Sequence, residues 1–349
     1  QRKGVRWSAS KAFLRPIQHR PNLTVMTNTH VQKLALQANE HGPRATGVWI
    51  TKGGDAPSLV TATREVILAA GAVASPQILQ LSGIGEAGLM QQLGAAPVID
   101  LPGVGHNLQD HLQIRTIYKV SNTTTLNPRV NSLVGKAMMG LEYLLFKTGP
   151  LTMPPSQLGA FAKSDEAQPT PNMEWHVQPL SLDQFGSPLH SFNAITPSVC
   201  NLRPASRGAI TAQSLDPLMA PKINLNYLSS PEDEAVALAG LRMTRRIMKA
   251  KALARFLPEE WKPGPERQSD AELLDAARDL GTTIFHPVGT CKMGADPAAV
   301  VDDRLMVHGC KGLRVIDASI MPLITSGNTN APTVMIAEKG AQFIIEDAG

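Results

Sequence analysis

Leu313-Arg-Val-Ile-Asp-Ala-Ser-Ile-Met-Pro-Leu-Ile-Thr-Ser-Gly-Asn-Thr-Asn-Ala-Pro-Thr-Val-Met-Ile-Ala-Glu-Lys-Gly340 divides into three parts with different physical demands. Leu313 to Ile316 is a β-rich run that ends on Asp317, Ser326 to Asn330 is a cluster of turn formers, and Pro332 stands where the first turn of a helix tolerates a missing N–H. Val334, Ile336, Ala337 and Ala341 then recur at a spacing that buries one helical stripe. Strand, polar loop and helix in this order predict an α/β unit. The helix N-terminus brings free N–H groups and partial positive charge to the end of the loop.

Two upstream stretches follow the same grammar. Glu65-Val-Ile-Leu-Ala-Ala70 is a strand-like run entering Gly71, and Ser75-Pro-Gln77 predicts a helix start with Ser75 as cap and proline at the first position. Gly281-Thr-Thr-Ile-Phe-His-Pro-Val-Gly-Thr-Cys-Lys-Met-Gly294 sets His286 between a short apolar run and a glycine-punctuated turn. Imidazole, with a pKa of about 6.5, exchanges protons near neutrality, and Pro287 with Gly289 presents the ring in one direction. A lone histidine before a proline is equally a structural residue. Convergence of a second element on it is what gives it chemistry.

The segments His286–Gly294, Val315–Pro322 and Gly327–Ala341 together resemble the C-terminal signature of the glucose–methanol–choline (GMC) family of flavin-dependent alcohol oxidoreductases, nearest its choline-dehydrogenase-like branch. Ala69 to Gly85, followed by Leu101-Pro-Gly-Val-Gly-His-Asn-Leu-Gln-Asp-His111, resembles that family's internal signature. The matches lie in the family's order and cover the two ends of the chain.

The resemblance implies FAD as cofactor and a small primary alcohol as substrate, with dioxygen or a quinone-like molecule as electron acceptor. It assigns His286 as the base and Asn330 as its partner on the substrate oxygen. Val31 falls at the adenine end of FAD, and Ala70, Gly71 and Ser75 along its ribityl–phosphate region. Asp317 and Ala318 fall near the ribityl–pyrophosphate, Phe285 packs at the flavin, and Pro332 with Thr333 opens the helix at the pyrimidine edge. His111, within the Asn-Leu-Gln-Asp-His match, is read as structural.

The expected architecture has two parts. One is an α/β FAD-binding domain of residues 1–113 and 280–349, Rossmann-like but incomplete; the other is an α+β substrate-binding domain, 114–279, built on an antiparallel sheet. The family's opening strand, Gly-x-Gly-x-x-Gly turn and helix, whose N-terminus holds the pyrophosphate, is not found, and the chain starts at Gln1 in what matches mid-domain sequence. The expectation is a chain without its upstream part, which alone does not retain FAD stoichiometrically. A fold acting as a non-catalytic binding module is the corresponding alternative.

Composition bounds the rest. The chain has 349 residues, of which 43% are hydrophobic and 18% charged, enough for one large or two ordinary domains with a real core. Residues 1–64 carry ten Lys or Arg against Glu40 and Asp55, but the basic residues are scattered and aromatics make up only 4% of the chain, which argues against nucleic-acid binding. The longest apolar run, Val66 to Ala74, is short of the ~20 residues needed to span a bilayer. Cys200, Cys291 and Cys310 do not form a disulfide framework, which favours a cytoplasmic setting. His286, Cys291, His308 and Cys310 supply a ligand set for zinc, a rival reading, although their spacing is not that of a zinc site.

Between Gln113 and Thr282, strand-like segments (113–120, 173–179, 193–202, 208–213) alternate with helices at 134–146, 231 onward and 269–280. Leu151–Ser156 and Ser181–His190 are the loops able to cap a pocket.

Overall fold

A computed structural model describes every residue except His41 and Pro155, so the 151–156 loop lies partly outside the described residues. The chain divides into two compact units, one of residues 26–111, 202–233 and 283–349, the other of 1–25, 112–201 and 234–282.

In the first unit, Thr29–Gln37, Arg44–Lys52 and Ser58–Thr61 form an antiparallel sheet. The turn after Lys52 places Gly53 and Gly54 at φ +59° and +93°, backbone that residues with a side chain rarely adopt. Val66–Leu68 pairs in parallel with Leu313–Val315, so the two family-like ends of the sequence meet as neighbouring strands. Leu68, Leu79, Val288, Val300, Leu313, Val315 and Ile336 are buried in one core, joining residues far apart in the chain.

The helix after Val66–Leu68 runs from Gly71 to Leu81, with Ala70 as N-cap, so it begins five residues before the expected start, which had Ser75 as cap. Pro76 therefore lies inside the helix, where it lacks the N–H that the Ala72 carbonyl would accept from. The Thr290 hydroxyl supplies that donor, 2.7 Å from the Ala72 oxygen. A helix start judged from Ser-Pro alone misses this, because the compensating donor is remote in sequence. The last helix, Asn330–Asp347, begins where Pro332 indicates.

In the second unit, a sheet runs in the order Glu259–Lys262, Ile117–Lys119, Ala194–Asn201, Met173–Gln178, Leu158–Ala162, and Leu112–Ile114 also pairs with Ala194–Asn201. The helix Pro231–Met248 packs on one sheet face: the Trp175 indole N–H donates to Thr244 Oγ1 at 2.8 Å, and Gly240 lets the helix approach Val199 closely. A Cβ at Gly240 would lie 3.0 Å from a Val199 methyl. Asp270–Leu280 begins with a capping box between Ser269 and Glu272. Leu133–Phe146 ends on Lys147 in the left-handed conformation (φ 54°), two residues before the glycine expected to close it.

The units differ from the expected division in two segments. Residues 202–233 group with the first unit, where Ile210 N–H donates to Gly105 O at 2.7 Å and Ala212 N–H to Gln80 Oε1 at 2.8 Å. Residues 1–25 group with the second, where Gln1 Nε2 donates to Thr152 O at 2.7 Å. Short hairpins and termini carry too little periodicity to declare their partners. Among the described residues no helix is long and apolar enough to cross a membrane.

Candidate active site

His286 is buried, and three elements fix it. Residues 109–111 run antiparallel to 284–288: Gln109 and Val288 exchange backbone hydrogen bonds at 3.0 and 2.9 Å, and Ile284 N–H donates to His111 O at 3.3 Å. The Gln109 side chain reaches the third element, donating to Pro322 O at 3.1 Å and accepting from Ile324 N–H at 3.1 Å. Asn107 donates to Gly289 O and Pro322 O, both at 3.2 Å. Gly289, at φ +93°, sits so close to Asn107 that a Cβ would come within 2.5 Å of the Asn107 carbonyl oxygen.

Asp110 anchors the backbone of the histidine. One oxygen accepts the His286 N–H at 2.9 Å, and the other accepts the hydroxyls of Thr283 and Tyr227, each at 2.5 Å. Burial pushes the Asp110 carboxyl above its usual range, while the hydrogen bonds from Thr283, Tyr227 and His286 act in the opposite direction. Burial, and then the negative charge of Asp110, raises the Tyr227 phenol, which keeps it a donor. Phe285, immediately before the histidine, has φ 64°, an uncommon conformation for a bulky residue and one found where function holds it.

The ring itself is part of a directed chain. His111 is fully buried; its Nε2 lies 3.2 Å from the Leu202 carbonyl and its Nδ1 3.0 Å from His286 Nδ1, with the rings edge to face. A carbonyl only accepts, so His111 Nε2 carries the hydrogen and neutral His111 offers a lone pair at Nδ1. His286 Nδ1 must then donate, which leaves the lone pair of His286 at Nε2. That atom lies 3.2 Å from Asn328 Nδ2.

The structure thus brings Asn328, two residues before the expected Asn330, to the histidine. Asn330 is the exposed first residue of the last helix, and the two asparagines are too close in sequence for the motif alone to choose between them. His111, read as structural from sequence, is a direct neighbour of the base candidate. Its signal was a run of consecutive polar residues, Gln109-Asp-His111, in a segment that becomes buried.

A second cluster gathers most of the other expected residues. Asp317 stands just beyond the parallel strand Leu313–Val315, where one carboxylate oxygen accepts Gly71 N–H at 2.9 Å and Ser75 Oγ–H at 2.6 Å, and the other accepts Ser319 N–H at 2.8 Å. Ala70 N–H donates to Ser75 Oγ at 3.1 Å. Ala318 O accepts Gly289 N–H at 3.3 Å, tying this cluster to the His286 loop. Thr333 Oγ1 donates to Thr329 O at 2.7 Å, locking the turn that contains Pro332. Val31 is half-buried in Thr29–Gln37, on the edge of the main core, and Phe285 is exposed.

The ends of parallel strands and the N-termini of the helices that follow them are where α/β folds hold phosphorylated cofactors. Gly71 fits such a role: at φ +82° it is open, with nothing within 4 Å of a Cβ built on it. Gly83-Ile-Gly-Glu-Ala-Gly88 spells a Gly-x-Gly-x-x-Gly pattern, yet Gly83 is packed against Val98, 2.8 Å from where its Cβ would be. That spelling is a packed turn, not a phosphate cradle. Among the described residues, His286, Cys291, His308 and Cys310 do not come together as a metal-ligand group.

Models of the GMC oxidoreductase family match residues 1–113 and 204–337. An alcohol dehydrogenase [acceptor] from Pseudomonas putida is 42% identical over 99% of this chain and 62% of its own length. An oxygen-dependent choline dehydrogenase from Klebsiella pneumoniae is 41% identical over 98% of this chain and 61% of its own. The crystal structure of pyridoxine 4-oxidase from Mesorbium loti superposes with a TM-score of 0.84 at 28% identity, over 98% of this chain and 62% of that one. The chain therefore spans about three-fifths of the length of the relatives it matches.

Proposed function

Because the chain belongs to the GMC oxidoreductase family, we propose that it forms part of an FAD-dependent enzyme that oxidises a primary alcohol to an aldehyde, with His286 as the base. The observation that carries this reading is the hydrogen-bond chain from Leu202 O through His111 to His286, which leaves the Nε2 lone pair beside Asn328. Nε2 takes the hydroxyl proton. The Asn328 amide, able to donate to an oxygen that is becoming negative, holds the substrate oxygen without competing for that proton. Asp110 keeps the ring in place through the His286 backbone, so the lone pair stays aimed as the proton arrives.

FAD, when bound, takes the carbon-bound hydrogen as hydride, so that loss of one proton and one hydride converts the alcohol to the aldehyde. Ala70, Gly71, Ser75, Asp317 and Ala318 are the residues suited to its ribityl–phosphate part, and Pro332 and Thr333 open the helix suited to its pyrimidine edge. Val31 suits the adenine end and Phe285 the ring itself. Dioxygen or a quinone-like molecule is the proposed electron acceptor. The names of the P. putida and K. pneumoniae relatives support an alcohol as substrate class.

Anaerobic mixing of the flavin-loaded protein with benzyl alcohol and other primary alcohols tests the reading. Bleaching of the flavin absorbance in the parent, lost in His286→Ala at unchanged flavin content, is expected. The complete polypeptide of which this chain is proposed to form part, purified without flavin and binding none on addition of FAD, would sink it.

A further inference from the structure

Residues 325–328 carry Asn328 to His286, and little else holds them. Ile324 N–H is fixed by Gln109 Oε1, and the Thr329 carbonyl accepts Thr333 N–H at 3.0 Å in the first turn of the last helix. Between these anchors Gly327 sits at φ +144°, with nothing within 4 Å of a Cβ built on it. Such a residue is a pivot. Among the described residues, two side chains outside the loop hydrogen-bond to 325–328: His286, through Asn328, and Arg203, whose Nε–H donates to Ser326 Oγ at 3.0 Å.

Arg203 is itself held from behind. Its neighbour Leu202 gives the carbonyl that accepts from His111 Nε2. The following residues are pinned by the buried Asp233 carboxylate, which accepts Ala205 N–H at 2.8 Å and Ser206 N–H at 2.9 Å. Arg207 then reaches Asn107 Oδ1 at 3.2 Å, and Asn107 spans the Gly289 and Pro322 carbonyls. From this fixed base the segment 202–207 touches three parts of the site: His111, the Asn107 crossing and, through Arg203, the loop of Asn328.

On the reading of Asn328 as the donor to the substrate oxygen, we propose that Arg203 is a positioning residue: by holding Ser326 on one side of the Gly327 pivot, it sets the Asn328 amide against His286 Nε2. The Arg203–Ser326 bond is solvent-exposed, so it adds little to stability. Its effect is to select one orientation of a loop with few other ties. An amide displaced by about 1 Å no longer meets an oxygen held at His286, and misplacement of that size costs up to about a hundredfold in rate. Because Arg203 acts through Asn328, its loss has nothing further to remove once the amide is gone.

Anaerobic stopped-flow reduction of the complete, flavin-loaded polypeptide by benzyl alcohol and other primary alcohols tests this in a cycle of Arg203→Ala, Asn328→Ala and the double variant. Arg203→Ala should slow the limiting rate about tenfold at a melting temperature close to the parent's, while adding less than about twofold to the effect of Asn328→Ala. A parental rate in Arg203→Ala, or losses that multiply in the double variant, would overturn the assignment, since a merely structural arginine acts whether or not the amide is present. If circular dichroism shows Arg203→Ala unfolded, Ser326→Ala takes its place in the cycle and decides by the same two outcomes. A flavin-loaded parent that no primary alcohol reduces overturns the proposed function and this inference with it; a parent that is reduced but shows independent losses overturns the inference alone.

Discussion

His111 and His286 share one hydrogen between Nδ1 atoms 3.0 Å apart, and the Leu202 carbonyl at the far end of His111 fixes which ring donates. The protonation pattern of the proposed base is thus set by a residue that need not touch substrate.

His286→Ala should slow flavin reduction by about 10²-fold or more, the range of a positioned base, with flavin content preserved. Anaerobic stopped-flow absorbance measures both. Reduction at the parental rate would remove His286 from the mechanism.

His111→Phe should act differently. It removes the acceptor for His286 Nδ1–H and leaves Leu202 O without its donor, a loss of about 1–3 kcal/mol of stability for a buried group left unsatisfied. Unlike a purely structural change, it should also move the pH dependence of the reduction rate in molecules that stay folded. A lowered melting temperature with an unmoved pH profile would reduce His111 to packing.

Asn328→Ala should cost roughly 1.5–3 kcal/mol of transition-state stabilisation, as expected for a hydrogen bond to an oxygen gaining charge. Asn330→Ala should leave the rate within about twofold of the parent, because it is the Asn328 amide, two residues earlier, that lies 3.2 Å from His286 Nε2. Steady-state kcat/KM for the two variants side by side makes the comparison, and the reverse order would restore Asn330 as the partner.

Asp317→Ala removes the common acceptor of Gly71 N–H, Ser75 Oγ–H and Ser319 N–H. Thermal unfolding should show a loss on the order of 3 kcal/mol, since several buried donors lose their partner together. Released flavin, measured by fluorescence, should rise in parallel.

Arg314, buried in the core strand Leu313–Val315, pairs with Glu65 at 2.8 Å and with Asp347 at the end of the last helix. Hydrogen bonds from Arg314 and Arg304 hold the Asp347 carboxyl below its usual pKa. A depressed acid stabilises the fold above its unfolded pKa of about 3.9 and loses that contribution as pH falls through the lower folded value. Asp347→Asn should therefore melt below the parent at pH 7, and the gap should close as the pH is taken below about 4. A gap that widened with acid would contradict the pairing.

What was legible in the sequence follows from where the information lies. The parallel strand Val66–Leu68, the last helix and the His286 turn each carry a local signature of apolar period, proline and glycine, and all three are present. The start of the Gly71–Leu81 helix was missed because its interior proline is supported by Thr290, and no local rule reports a donor so distant. The placement of Asn328 depends on the exact path of a loop, and the role of His111 on a strand pairing between residues 109–111 and 284–288. Both are tertiary facts.

Thr290 takes the place of a backbone amide that Pro76 cannot supply, and in doing so it splices the His286 loop into the helix that begins at Gly71. The two clusters are consequently one mechanical body: a displacement at the glycine-opened helix end is felt four residues from the base, and a substitution at Thr290 would detune both without touching either.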